Sequence, residues 1–298
     1  ATMNSSYEQK HPLYAAFFTK RRKAMDLYEG GERIEGNRAY LTRHTYESDK
    51  QYDIRASRAT YRNFAAPIVD VFASFINEGR PERILPDALR PIEADADRYG
   101  MTADAFFADV TRLAAAGGAR FVIVDMEEKK GETVAEDRAS GRRLVPYFTS
   151  ISPDDVWDWG MDAKGLAWAV VHSEEMEHPA AFAAPLRYET LTVWTRDSWT
   201  RYRRPMKDKE NTEYAIAEDG ERRHGLGAVP LVPFLFEPTS PMTGLPATDD
   251  VLSLILRIYR RDSELDKMLF DRAVPLLNVG GVSQEHWDTF VVASSNAL

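Results

Sequence analysis

The sequence predicts an α+β fold: N-terminal helices, then a mixed or antiparallel β-sheet accompanied by helices, and a long C-terminal helix. Apolar residues recur every three or four positions up to about residue 77, as in amphipathic helices. Short apolar runs bounded by glycine, proline and aspartate follow between residues 119 and 236, as in strands joined by turns. A last long stretch of helical spacing begins after Thr248.

Composition and charge limit the classes of protein to which the chain can belong. Its 298 residues include 38 basic and 47 acidic side chains, and the net charge of −9 argues against holding nucleic acid over a broad basic face. The lack of cysteine excludes disulfides and thiolate zinc sites. No apolar run reaches the roughly 18 residues of a membrane span, and the polar start is unlike a secretory signal. We therefore expect a soluble chain that folds inside the cell and contacts no membrane.

The N-terminal part predicts two helical stretches. The first covers residues 11–28 and stops at Gly30-Gly31. The second covers residues 49–77 and is expected to bury one aromatic-rich stripe, because its members share a face. The stripe consists of Tyr61, Phe64, Ile68, Phe72 and Phe75. Pro67 lies inside the pattern, so either the helix kinks there or two shorter helices meet.

A helix followed by a strand is predicted for residues 102–125. Thr102 suits the N-cap of the helix, and the Gly117-Gly118 pair suits its end. The apolar face of this helix is formed by Phe106, Val110 and Leu113. Residues 119–125 are a continuous apolar run, which is typical of a buried strand. Helix, double glycine and strand together indicate a layered α/β element.

The middle of the chain predicts strands and hairpins. Residues 127–143 are strongly charged and predict an exposed loop, and residues 178–185 predict a short linker. Gly165 suits the turn of a first hairpin, and the Arg196-Asp197-Ser198 segment suits a second. Strands are expected at residues 144–151, 156–161, 166–173, 188–195, 199–204 and 229–236. The last strand contains prolines and should be an edge or irregular strand, followed by a loop up to Ala247.

The last predicted helix begins at Thr248, which we expect to act as its N-cap, and ends before Pro275. Its apolar stripe, interrupted by Asp262, is expected to consist of Val251, Ile255, Ile258, Leu265 and Leu269. A short strand is expected at residues 289–293. The final residues carry no signal that ends a domain, so we expect the chain to be a fragment of a longer one.

Mixed charges flank the stripe of this last helix. Such a pattern suits a helix that packs against copies of itself and forms ion pairs beside the seam, although a plain surface helix would look similar. The candidate residues for an oligomer or channel surface are Val251, Ile255, Arg257, Ile258, Arg260, Arg261, Leu265, Lys267 and Arg272.

Two groups of side chains could suggest metal chemistry. His172 and His178 flank three glutamates, but a spacing of six residues does not bring two ligands to one ion, and a solvated turn after a strand explains them better. A denser carboxylate cluster consists of Asp154, Asp155, Asp158 and Asp162. It could hold magnesium in a metal-dependent phosphoesterase, whereas its turn and half-exposed-strand context argues for a structural role.

No other pattern indicates catalysis. Gly117-Gly118 precedes a strand, whereas a phosphate-binding loop follows a strand and opens a helix. We therefore predict no catalytic, cofactor-binding or metal-ligating residue and no cofactor. Three functions remain open from the residues alone: a structural subunit, a phosphoesterase that uses the carboxylate cluster, and a monomeric binding domain.

An ordered series of segments carries a resemblance to a known family. In chain order the segments are 40–42, 47–48, Tyr52, Arg55, 58–64, 69–70, Phe75, 106–107, 118–125, 146–147, 151–159, 229–234, 249–271 and 273–280. Together they resemble the N-terminal part of tailed-bacteriophage portal proteins, a family formerly catalogued as a phage domain of unknown function. The resemblance spans about residues 10–281. The sequence departs from the family at Pro67, where the family's helix runs on.

The resemblance implies a ring, usually of twelve copies, with an α/β wing outside and long helices that line an axial channel. Double-stranded DNA would pass through this channel during packaging and ejection, and an acidic wall would adhere weakly to it. A separate terminase would supply the work of DNA packaging. The other implied partners are the head-tail adaptor and the capsid and scaffold proteins.

The resemblance also implies an organisation and a location. We expect an N-terminal helical region at 1–98, an α/β wing at 99–247, and a stem-like helix with the start of a following strand at 248–298. Assembly would take place in the cytoplasm of the bacterial host, and the finished ring would lie at the portal vertex of the virion.

Overall fold

The structure is a computed structural model of an α+β protein with antiparallel sheets and a C-terminal helix. It describes residues 7–79, 81–127, 136, 144–208 and 213–273. Backbone contacts divide the chain into two compact units. The first consists of residues 1–25 and 68–249, and the second of residues 26–67 and 250–298. Each unit combines two separate stretches of chain, whereas the three predicted regions are continuous.

The described residues form six α-helices and ten strands. The helices are α1 (Pro12–Glu29), α2 (Asp49–Arg58), α3 (Ala65–Ile76), α4 (Pro91–Ala94), α5 (Ala103–Gly117) and α6 (Leu252–Ala273). The strands are β1 (Ala119–Asp125), β2 (Tyr147–Ile151), β3 (Val156–Asp162), β4 (Gly165–Glu177), β5 (Leu186–Thr195), β6 (Ser198–Pro205), β7 (Ala215–Arg223), β8 (Leu231–Leu235), β9 (Glu237–Ser240) and β10 (Thr243–Leu245). None of these helices is long and apolar enough to cross a membrane.

Pro67 does not kink a long helix. The stretch predicted at 49–77 forms two helices, α2 and α3, and the break lies at residues 59–64, ahead of the proline. Pro67 is the third residue of α3, where proline is tolerated because the first N–H groups of a helix have no partner within it. The alternative of two shorter helices is therefore confirmed, with an earlier boundary than Pro67 suggested.

The predicted burial of the aromatic stripe is wrong for its three phenylalanines, whereas Tyr61 is buried and Ile68 half-buried. Phe64, Phe72 and Phe75 are 45%, 44% and 71% exposed. The buried side of α3 is instead formed by small or branched residues: Ala65, Val69 and Ala73. Helical spacing identifies residues that share a face but does not say which face turns inward, and here the large side chains lie on the outer one.

The helix-to-strand element at α5 and β1 is confirmed. The Thr102 hydroxyl accepts a hydrogen bond from the Ala105 N–H at 3.3 Å, as an N-cap does. Gly118 ends the helix with a φ of 86°, a conformation that favours glycine. Phe106 and Val110 of the helix lie in one buried cluster with Val122 of the strand.

All strand pairs described in the chain are antiparallel. One sheet has the order β2-β1-β8, a second has the order β3-β4-β5-β6-β7, and β9 pairs with β10. Both predicted hairpins are present, and Gly165 closes the first with a φ of 101°. The proline-containing strand β8 lies at a sheet edge, as its composition predicts.

Three strands were missed. Strand β7 has no alternating apolar pattern, and its register against β6 is irregular. Strands β9 and β10 lie in the segment predicted as a loop up to Ala247, and they are too short to carry a periodic signal. The predicted loop at 127–143 and the predicted strand at 289–293 lie wholly or mostly outside the described residues.

In the second unit, two tyrosine hydroxyls donate hydrogen bonds to backbone carbonyls. The Tyr52 hydroxyl donates to the Leu41 carbonyl at 2.7 Å, and the Tyr61 hydroxyl donates to the Leu27 carbonyl at 2.8 Å. Burial raises the pKa of Tyr61 to about 12. Leu27, Leu41 and Ile34 are completely buried and form part of the apolar interior.

Candidate self-association surface

Helix α6 has one face that packs inside the second unit. Its buried residues are Leu252, Ile255, Leu256, Tyr259 and Ser263. The predicted stripe is therefore wrong in its second half, because Leu265 and Leu269 are 52% and 60% exposed. The predicted stripe lies on the flank between the buried face and an exposed face that also carries apolar side chains, since its members span an arc of about 80° on the helix.

The predicted N-cap of this helix is also wrong. Thr248 precedes a short 3-10 turn at Asp249–Val251, and its buried hydroxyl has no hydrogen-bond partner among the described residues. The turn tightens the start of the helix, so the first α-helical residue is Leu252 instead of a residue next to Thr248.

A buried ion pair fixes α2 and α6 within the second unit. Arg55 donates from Nε and Nη2 to the two carboxylate oxygens of Glu47, each at 2.8 Å, and both side chains are 2% exposed. The same guanidinium donates to Ser263 Oγ of α6 at 3.1 Å and to the Thr42 carbonyl at 2.9 Å. The hydrogen bonds from Arg55 lower the pKa of Glu47 to about 2, against the opposing effect of burial.

Some of the cations predicted for the surface make contacts inside the second unit. Arg260 Nε donates to the Tyr40 carbonyl at 2.8 Å, and Lys267 Nζ lies 3.8 Å from Glu47 Oε1. The Tyr259 hydroxyl donates to the Ile34 carbonyl at 3.3 Å. Of the predicted oligomer residues, Ile255, Arg260 and Lys267 thus serve contacts inside the unit, and Val251 and Ile258 are half-buried.

The opposite face of α6 is exposed and apolar. Leu254 and Met268 are 53% and 59% exposed and join Leu265 and Leu269 in one outward stripe. Three exposed arginines accompany it, namely Arg257, Arg261 and Arg272. Leu254 and Met268 were not among the residues predicted for this surface. The signal that could have found them is the alternation of four- and three-residue steps through residues 254, 258, 261, 265, 268 and 272.

A second exposed apolar face lies on α3 in the first unit. Val71 and Ile76 are 52% and 57% exposed, beside the exposed Phe72 and Phe75. Phe72 packs edge-to-face against Phe236, with ring centroids 5.6 Å apart. Phe72 is therefore held in place by Phe236, while most side chains of this face are exposed to solvent.

The carboxylate cluster is divided among separate partners. Asp154 pairs with Arg21, and Asp162 accepts two hydrogen bonds from Arg196 at 2.7 and 2.6 Å. Those bonds lower the pKa of Asp162 to about 2. Asp158 accepts from the Trp159 N–H at 2.9 Å. Across the described residues, no group of three or more metal-ligating side chains could hold a metal ion.

The interpretation of residues 172–178 as a turn after a strand is wrong, because β4 continues to Glu177. His172 lies within this strand and stacks on Trp157, with ring centroids 4.3 Å apart. Its two ring nitrogens face different carboxylates, at 3.5 Å from Asp155 and 3.4 Å from Glu189. His178 is exposed beyond the strand, so the two histidines do not meet.

Comparison with protein-family models finds no match, and no curated protein matches the sequence either. The site must therefore be interpreted from its own chemistry.

An exposed apolar stripe bordered by charges is the kind of surface that proteins use for association. Scattered apolar side chains on a surface are ordinary, whereas contiguous ones rimmed by polar residues mark interaction sites. The outward stripe of α6 fits the second description, and its helix is held in place by the Glu47–Arg55–Ser263 network. The stripe can bury apolar area against a complementary helix without rearrangement of its own unit.

Proposed function

We propose that the chain is a portal subunit of a tailed bacteriophage, which forms a ring with copies of itself and encloses a channel for DNA. The observation that supports this most is the outward stripe of α6. Leu254, Leu265, Met268 and Leu269 are each more than half exposed on a helix whose other face is fully packed. A long helix with this second apolar face is suited to contact a neighbouring copy.

The charges beside the stripe favour an identical partner. Arg261 is exposed on the stripe, and Glu264 and Asp266 lie within five residues of it on the same helix. Because both signs occur along one helix, two copies can place an arginine of one beside a carboxylate of the other. Such flanking pairs set register and orientation more than affinity.

The resemblance to portal proteins gains support from the residues that carry it. Tyr52 and Arg55, which belong to the resembling segments, make buried hydrogen bonds in the second unit. In the first unit, the 118–125 segment is the central strand of a sheet. These segments have structural roles, as expected of a family defined by its architecture.

The remaining expectations follow from the proposed function. The ring would have about twelve copies, a wing built from the sheets, and a stem to which α6 contributes. Terminase, the head-tail adaptor, capsid and scaffold proteins would be its partners, and the virion its final location. The net charge of −9 per chain suits a conduit that does not bind DNA tightly.

Electron microscopy and sedimentation velocity of the full-length gene product test the proposal. We expect rings with a central channel. The double variant Leu265→Glu/Met268→Glu should abolish them, because it places charge in the apolar seam. The control Ser253→Glu adds one negative charge to the same helix, half that of the double variant, on an exposed position outside the stripe, and should leave the rings intact.

Circular dichroism should show that all three proteins are equally folded. A full-length protein that remains monomeric at high concentration would overturn the proposal. So would rings that persist in the double variant, since the stripe would then not be the contact.

A further inference from the structure

A cleft of about 380 Å³ opens in the first unit between the end of β1 and the β6–β7 edge of the five-stranded sheet. Its lining includes Val124, Pro146, Leu226 and Pro230, which give it an apolar wall. The volume lies within the range of about 300–1,000 Å³ that is usual for small-molecule sites. The outward stripe of α6 shares no residue with this cleft.

Two tryptophans provide the aromatic part of the cleft. Trp194 and Trp199 lie opposite each other across the β5–β6 hairpin, with ring centroids 6.0 Å apart and planes tilted by 48°. Each is 7% exposed, and neither indole N–H donates to another described residue. Two packed indoles whose N–H groups are unused among the described residues offer a planar ligand both a π-face and hydrogen-bond donors.

Positive charge lines the β7 side of the cleft. Arg222 stacks near Trp199, with its guanidinium carbon 5.8 Å from the ring centroid. Arg223 lines the cleft, is exposed, and has no ion-pair partner within the described parts of the chain. His224 is already used, because its Nδ1 accepts from the Leu226 N–H at 3.3 Å and its Nε2 lies 3.1 Å from the Thr195 carbonyl.

The acidic side chains of the cleft are already engaged. Asp125 accepts a hydrogen bond from the Tyr147 hydroxyl at 2.9 Å, and Glu127 pairs with Arg98. Arg98 therefore compensates the charge of Glu127, and the neutral Tyr147 hydroxyl stabilises that of Asp125 without cancelling it, whereas Arg223 has no such partner among the described residues. The electrostatic balance inside the cleft favours an anion.

We propose that this cleft binds a small planar aromatic anion. The ring system of the ligand packs between the indoles and the apolar wall, and its carboxylate, sulfonate or phosphate group pairs with Arg223. A guanidinium is the side chain best suited to such groups, because its planar donors match their oxygens. This binding site is independent of the ring proposed above.

The fluorescent probe 8-anilinonaphthalene-1-sulfonate tests the proposal on the intact chain. Energy transfer from tryptophan to the bound probe reports proximity to the indoles, and titration gives the dissociation constant. We expect Arg223→Glu to raise this constant at least about tenfold, because it replaces a charge-assisted contact with repulsion. Arg187→Glu makes the same charge change on an exposed residue at the far end of β5 and should leave the constant unchanged.

The uncharged analogue N-phenyl-1-naphthylamine separates this site from apolar surface elsewhere. Its affinity should be equal in the wild-type chain and in Arg223→Glu, because it lacks the anionic group. Binding of the sulfonate that is indifferent to Arg223→Glu would overturn the proposal. An equal loss of both probes in Arg223→Glu would also overturn it, since that result means a disturbed fold instead of a lost ion pair.

Discussion

Arg55 uses a single guanidinium to satisfy a carboxylate, a hydroxyl and a backbone carbonyl, all inside the second unit. Removing two charges from water is costly, and the cost is recovered only where geometry and hydrogen bonding are good, as here. The sequence singled out Glu47 and Arg55 only through a family resemblance. Nothing in a linear pattern shows that the two side chains meet eight residues apart and then reach Ser263, because that contact requires the packed helices.

The acid sensitivity of this ion pair can be predicted. The pKa of Glu47 is lowered from its ordinary 4.5 to about 2 in the folded chain. A lowered carboxyl pKa contributes stability that is present above about pH 4.5 and is lost as the pH falls towards about 2. We expect the free energy of unfolding in urea to decrease across this window, by up to about 3 kcal/mol from this group.

The variant Glu47→Gln should lose much of this pH dependence, since its side chain does not titrate. The matched control Asp53→Asn alters an exposed pair with Arg38, in which both side chains are more than half exposed, and should retain it. An equal pH dependence in Glu47→Gln and the wild-type chain would contradict the assignment.

At the scale of the element, the sequence predicts best where one local signal decides the outcome. β1 and the two hairpins were found because a glycine or a polar turn segment borders each apolar run and leaves little choice. For α3 and α6, the buried face was predicted wrongly, because each helix has apolar residues on opposite sides. The same feature explains why the outward stripe escaped notice: an amphipathic pattern predicts one buried face, and α6 has two apolar ones.

At Gly118, the end of α5 lies in close contact with strand β10. A Cβ at this position would overlap the Gly244 carbonyl oxygen of β10, and the residue also has a positive φ of 86°. We expect Gly118→Ala to lower the unfolding free energy by about 1–3 kcal/mol beyond the backbone strain alone. The control Gly100→Ala has a similar φ of 94° but open space around its Cβ, so it measures only that strain. If thermal and urea unfolding show an equal loss of unfolding free energy in the two variants, β10 moves away from the new Cβ without an energetic cost.

At the scale of the whole molecule, the proposed ring joins acidic chains through an apolar stripe. Each chain carries a net charge of −9, so neighbouring copies repel one another while the stripe of α6 attracts. In this balance the net charge opposes assembly and the apolar stripe drives it, while the flanking charges set register. Composition alone could exclude a broad basic DNA-binding face, but the seam could be recognised only once burial showed which side of α6 is free.

The opposition between charge repulsion and apolar attraction predicts how assembly responds to salt. Added salt screens repulsion between like-charged chains, with a Debye length that falls to about 3 Å at 1 M, and it leaves apolar contact intact or strengthened. We therefore expect sedimentation velocity of the full-length protein to show a larger assembled fraction at about 0.5 M sodium chloride than at low salt. Arg261→Glu removes a flanking cation but no apolar area, so its assembly should keep the same direction of salt dependence. Rings that dissociate as salt rises would mean that ion pairs, and not the stripe, hold the copies together.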